Sequence, residues 1–206
     1  AWIYMNAISG NTIVSKRDIG ASPLPHTNYS LRVDAGTGGM GRLRLFWYNS
    51  SSVVDCFEDA PGSISTNTWH HVAATYDTST NLAVIYVDGS EVQSVIMSDD
   101  PVANDHPFVI GARYNSGAYD GDFNGEIDEL RISNLVRYTS NFAVPSEPFL
   151  SDSNTVALFH FDKSAGQGKA DNYISTLVNP DGTLQNDATF SVNAPALVSS
   201  AGFALS

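Results

Sequence analysis

The chain has 206 residues, a single cysteine and a formal net charge of −12, from ten basic against twenty-two acidic side chains. A chain of this length suits one large β domain and buries roughly 70% of its unfolded surface, so it needs no covalent staple. Cys56 alone excludes an intrachain disulfide and a cysteine-based zinc cluster. The acidic surplus argues against nucleic acid or an anionic membrane as a partner, and no apolar run reaches the eighteen or so residues that insertion into a bilayer requires.

Apolar residues recur at alternating spacing and are punctuated by Gly, Asn, Asp and Pro roughly every ten residues, the pattern of an antiparallel sandwich or barrel. Strands are predicted over 1–5, 12–15, 29–34, 43–48 and 53–57, with Cys56 reading as a buried, inert thiol. The next three, over 70–76, 82–87 and 91–97, form a meander: Asp77 to Asn81 makes the first turn, and Asp88-Gly89 has the chemistry of a primed two-residue turn. In the middle strand Leu82, Val84 and Tyr86 line one face and Ala83, Ile85 and Val87 the other, so this strand is expected to be central. Further strands are predicted over 108–112, 126–133 and 156–161, with weaker ones near Thr183 and Phe190. Arg137 to Phe142 reads as a turn or helical stub, and Pro145 to Ser153 as an extended connector.

Polar loops carry the contacts of a rigid sandwich, and the segment Arg113 to Asp122 combines rings that can stack on a sugar with groups that can hold its hydroxyls. Tyr114, Asn115, Tyr119, Asp120 and Asp122 are therefore the candidate ligand contacts. Trp47 and Tyr48 are aromatic alternatives, but the run Leu45-Phe46-Trp47-Tyr48 favours core packing for at least part of that set. His70 and His71 are adjacent on a strand and point to opposite faces, so they cannot readily share one metal ion, and at most one is expected to point inward. His26, His106 and His160 stand singly.

The order and spacing of Trp69-His70-His71-Val72-Ala73, Tyr86-Val87-Asp88-Gly89, Ile110-Gly111 and Phe123-Asn124-Gly125-Glu126-Ile127-Asp128-Glu129-Leu130-Arg131-Ile132 resemble the laminin-G-like branch of the concanavalin A-like lectin/glucanase superfamily. The resemblance implies an all-β, two-sheet antiparallel jelly-roll sandwich. Thr155-Val156-Ala157-Leu158-Phe159-His160-Phe161-Asp162 resembles the strand that opens such domains, yet here it follows the closing one, so the order looks permuted. The expected organisation is a main body over 1–144, a connector over 145–155, and a segment 156–206 that completes either the same sandwich or that of a neighbouring copy by β-strand addition.

The resemblance also implies a structural calcium where opening and closing strands meet, at Asp128 and Asp162. Glu126-Ile127-Asp128-Glu129 is similar to the start of the laminarinase catalytic signature. A retaining glycosidase needs two carboxyls about 5 Å apart on one side of the sugar; Glu126 and Asp128 share a face, but the next residue on it is Leu130, and Glu129 points away. The expectation is a non-catalytic, extracellular binding or adhesion module of a bacterial or phage exterior, recognising carbohydrate or glycoprotein. The alternative is a repeating structural subunit of an adhesin, tail fibre or filament assembled by strand exchange.

Overall fold

The computed structural model describes residues 1–9, 11–18, 27–48, 53–162, 169–173, 182–183, 188, 191 and 194–197. All regular elements among them are strands. In chain order these are β1 (Trp2–Met5), β2 (Asn11–Arg17), β3 (Thr27–Ala35), β4 (Gly41–Tyr48), β5 (Val53–Phe57), β6 (Trp69–Asp77), β7 (Leu82–Val87) and β8 (Ser90–Ile96). They continue with β9 (Phe108–Ile110), β10 (Arg113–Asn115), β11 (Ala118–Asp120), β12 (Gly125–Asp128), β13 (Leu130–Ser133), β14 (Thr155–Phe159), β15 (Lys169–Ala170) and β16 (Gly182–Thr183). No helix among the described residues is long and apolar enough to cross a membrane.

Two five-stranded antiparallel sheets form the sandwich, one ordered β12-β1-β6-β7-β8 and the other β5-β4-β3-β2-β9. Alternation in each strand decides what meets between them. Val33 of β3, Leu43, Leu45 and Trp47 of β4, and Val54 and Cys56 of β5 face the interior, where they meet Ile3, Met5, Val72, Ala83, Ile85 and Val87 of the first sheet. Each Leu, Ile or Val buried this way contributes about 1.5–3 kcal/mol by removal of apolar surface from water. Burial pushes the Cys56 thiol up to about 12, which leaves it protonated and inert. β7 is buried on both faces from Ala83 to Val87, as its doubly apolar pattern predicts.

The meander β6-β7-β8 closes through Asp88 and Gly89 at φ 49° and 76°, the primed turn predicted from the Asp-Gly pair. Glycine is required there on a second count: a Cβ at position 89 would stand 2.1 Å from the Phe142 carbonyl oxygen. Phe142 belongs to a segment that crosses the outer face of the first sheet. Its N–H donates to the Gly89 carbonyl at 2.9 Å, its ring stacks on Tyr138 at 3.7 Å, and it meets Tyr86 and His71 edge-on at 5.4 and 5.6 Å.

Two expectations need correction here. The predicted strand 126–133 is not continuous: Glu129 adopts φ 48°, in the left-handed region, and divides it into β12, which pairs with β1, and β13, which pairs with β14. The polar segment 113–122 is not an irregular loop but a hairpin, β10-β11, turned through Ser116 and Gly117 at φ 46° and 96°. Thr155–Phe159 pairs antiparallel with Leu130–Ser133 of the same chain, and Phe159 and Leu130 both enter the core. The predicted strand near Thr183 is the short β16, paired with β15. Phe190 lies outside the described residues.

Candidate functional site

The β10-β11 hairpin sits at the rim of the second sheet, where Asp18, just past β2, bridges to Tyr114 and accepts the Ser116 N–H at 2.8 Å. Tyr114 and Tyr119 are cross-strand partners with ring centroids 5.7 Å apart, edge to face. The polar groups on the other face of the hairpin tie its two strands together. Arg113 Nε donates to one oxygen of Asp120, and Asn115 Nδ2 donates to the other at 2.8 Å. Burial alone would raise the Asp120 pKa, but these two donors outweigh it and leave the carboxyl below its ordinary value. Asp122 is exposed just beyond β11. Four of the five predicted ligand residues therefore lie on one short hairpin, the two half-exposed rings on one face and the hydrogen-bonded amide and carboxylate on the other.

The other aromatic candidates divide. Trp47 is core: it is buried, packs edge-on against Tyr76 at 4.9 Å and donates Nε1–H to the Asp99 carbonyl at 3.0 Å. Tyr48 is half-buried on the outer face of the second sheet, beside Phe46.

A second polar cluster forms where β12, β13 and the end of β14 meet. The left-handed turn at Glu129 overturns simple alternation and swings its carboxylate into the interior, where it is 3% exposed. Glu129 Oε1 faces His160 Nδ1 at 2.6 Å, and Oε2 accepts the Phe149 N–H at 2.8 Å. His160, which reads as solitary in the sequence, is thus paired, and the Glu129 carboxylate raises its pKa. Asp128 lies alongside, its Oδ1 accepting the Glu129 N–H at 2.8 Å. Burial, then repulsion from Glu129 and Asp162, lifts the Asp128 carboxyl to about 7. Asp162 follows Phe161, itself at φ 57°, and its pKa is also raised by burial and by Glu129. Asp128 and Asp162 both lie near Glu129 and His160, the two members of this cluster that sequence reasoning missed. Arg131, three residues on from Asp128, lies over the Phe149 ring at 4.3 Å.

Among the described residues, no group of three or more His, Cys, Asp or Glu side chains is arranged to hold a metal ion. The two histidines of β6 face opposite ways, and both are buried, His71 because the outer face is covered there. His70 Nε2 accepts the Ser65 N–H at 3.1 Å, which fixes the ring proton on Nδ1, 2.7 Å from Asp88 Oδ2. His71 lies on the outer face, enclosed by Trp2, Phe142 and Phe149. Neither of its ring nitrogens has a partner among the described residues, and burial drives its pKa down to about 2. His106 contributes a main-chain carbonyl to Lys16 Nζ at 2.7 Å. His26 lies outside the described residues.

Residues 1–141 match the laminin G-like family model described as concanavalin A-like lectin/glucanases superfamily. Among solved structures, a "putative carbohydrate binding protein" from Bacteroides ovatus superposes with a TM-score of 0.61 at 22% identity over 94% of this chain. The chain spans 54% of that protein, about half its length. No curated protein matches the sequence. With two antiparallel sheets in a sandwich and the family model matched over most of its length, the chain belongs to the laminin G-like family of the concanavalin A-like lectin/glucanase superfamily.

Proposed function

We propose that the chain is an extracellular, non-catalytic module that recognises carbohydrate or a glycoprotein glycan through the rim built on β10-β11. The observation that carries this reading is the hairpin: Tyr114 and Tyr119 pack edge to face on one side of a backbone whose two strands are tied together by Arg113, Asn115 and Asp120 on the other, which presents two half-exposed rings side by side to a sugar. The likeness to the Bacteroides ovatus carbohydrate binding protein supports the same class of ligand. In a glycan array, Tyr119→Ala is expected to weaken binding about tenfold or more while the melting temperature stays close to that of the parent. Silence of the parent protein across bacterial, algal and host polysaccharides would overturn the reading.

Two further parts belong to this proposal. Asp128, at a raised pKa, has the property a general acid needs, but the carboxylate beside it, Glu129, is committed to His160 and the Phe149 amide. Turnover of a β-glucan that disappears in Glu126→Gln would refute the non-catalytic assignment. A calcium ion would be held by Asp128 and Asp162, two carboxylates whose pKa values burial and Glu129 raise, with main-chain carbonyls completing the six to eight oxygens calcium takes. Calcium should raise the melting temperature of the parent and leave Asp128→Ala unshifted. A monomer by light scattering is expected, since β14 pairs with its own β13; filaments would favour the structural-repeat alternative.

A further inference from the structure

The outer face of the second sheet collects basic residues that the composition gives no reason to expect together. The chain has only ten Lys and Arg, yet Arg17, Arg32, Arg42 and Arg44 all project from β2, β3 and β4 on the side away from the core. Register produces this: Arg32 and Arg44 are direct partners, Phe57 stands opposite Arg44, and Asp34 opposite Arg42.

The guanidinium groups lie over rings. Arg17 is 5.4 Å from the Phe46 centroid and 5.6 Å from Tyr48, Arg44 is 4.8 Å from Phe46 and 5.2 Å from Phe57, and Arg42 is 3.8 Å from Phe57. Rings beneath a guanidinium fix its plane and leave its edge for a ligand. Two carboxylates share the face. Asp34 pairs with Arg32 and stands 3.6 Å from Arg44 Nη1, while Asp55 accepts from Arg44 Nε at 3.0 Å. Four positive groups less two negative ones leave a surplus of two, in a protein whose total is −12. Moreover, the Nε–H groups of Arg17 and Arg32 are buried and have no acceptor among the described residues, and Arg17 is only 7% exposed. An enclosed donor without an acceptor is a group that an incoming anion can satisfy. Arg113 of the hairpin, itself paired with Asp120, lies close enough to act on Arg17, so this face adjoins the rim assigned above to sugar binding.

We propose that the outer face of the β5-β4-β3-β2-β9 sheet, through Arg17, Arg32 and Arg44, binds the carboxylate or sulfate groups of an acidic oligosaccharide. This rests on the carbohydrate reading and specifies its ligand class. A short saccharide with spaced charges fits better than a long polyanion, because the strongly negative remainder of the protein repels any chain that runs beyond the face.

The test is calorimetric titration of the intact chain with four probes: polygalacturonate, its fully methyl-esterified form, chondroitin sulfate and the neutral β-glucan laminarin. Expected is binding to at least one acidic probe, at least tenfold tighter than to either neutral one, and weakening as salt rises from 50 to about 300 mM. Arg17→Gln and Arg32→Gln should each cost about tenfold or more. Arg17→Lys should recover only part, because the ammonium lacks the fork, and Arg137→Gln, remote from the face, should bind as the parent does. Neutral probes bound as tightly as acidic ones, with no effect of Arg17→Gln or Arg17→Lys, would overturn this inference and leave carbohydrate recognition standing. No heat with any of the four, together with a silent glycan array, would overturn both.

Discussion

The two sheets seal the same core but treat their outer faces in opposite ways. The first is roofed by Tyr138, Phe142 and Phe149, and beneath that roof even an imidazole stays neutral, with both nitrogens unpaired among the described residues. The outer face of the second carries guanidinium groups and carboxylates that, Arg17 excepted, are only partly enclosed. Water access is the difference. Where it is lost, the charged form of His71 is too costly and aromatic packing dominates; where it is kept, charge survives and is available to a ligand.

The roof should be the more sensitive side. Phe149→Ala removes a buried ring that touches His71 and carries Arg131, and is expected to cost about 3 kcal/mol in urea unfolding. Gly89→Ala, with a left-handed φ of 76° and no room beside the Phe142 carbonyl, should cost about 1–3 kcal/mol and loosen the roof's anchorage. His71 gives the roof a pH signature. Its folded-state value lies below the unfolded 6.5, so the folded chain refuses a proton that the unfolded chain takes. The stability this represents is complete above pH 6.5 and falls as the pH drops, by about 1.4 kcal/mol per unit for one group. His160, raised by Glu129, has the opposite sign: its contribution is present below 6.5 and disappears as pH rises through its folded value. Comparing the parent with His71→Phe isolates the first effect, and the variant should be relatively more stable by roughly 2 kcal/mol at pH 5. On the second sheet, Arg44→Ala should cost only about 1 kcal/mol, since a partly solvated ion pair and ring contact are worth little. A larger loss there than at Phe149 would reverse the comparison.

Much of the sandwich was legible because a half-buried strand writes its faces into alternate residues. Leu31-Arg32-Val33-Asp34 and Arg42-Leu43-Arg44-Leu45 show which side chains go in, and the Asp88-Gly89 turn follows from its chemistry. The same alternation already held the arginine-rich face, but that face emerges only when β3 and β4 are set in register. The β10-β11 hairpin carried a signal in Ser116-Gly117, a dipeptide that favours turns, though its strands are too short to show a period. Glu129 was not legible. Glutamate is an uncommon occupant of the left-handed region, and nothing local forecasts the break; the position is supported by His160 and Phe149, both distant in sequence. For the same reason the Asp128 and Asp162 corner came from family resemblance, not from spacing.

His70 has a mechanical meaning beyond its hydrogen bonds. One nitrogen is tied to Ser65, on the crossover that carries the chain from one layer to the other, and the other nitrogen to the Asp88 corner of the meander. A single ring thus acts as a bolt between a connecting strap and a hairpin tip, resisting lateral sliding of the two layers at that end. The opposite end, where the hairpin tyrosines stand, has its own brace, so each rim of the barrel-like body can be remodelled without slackening the other.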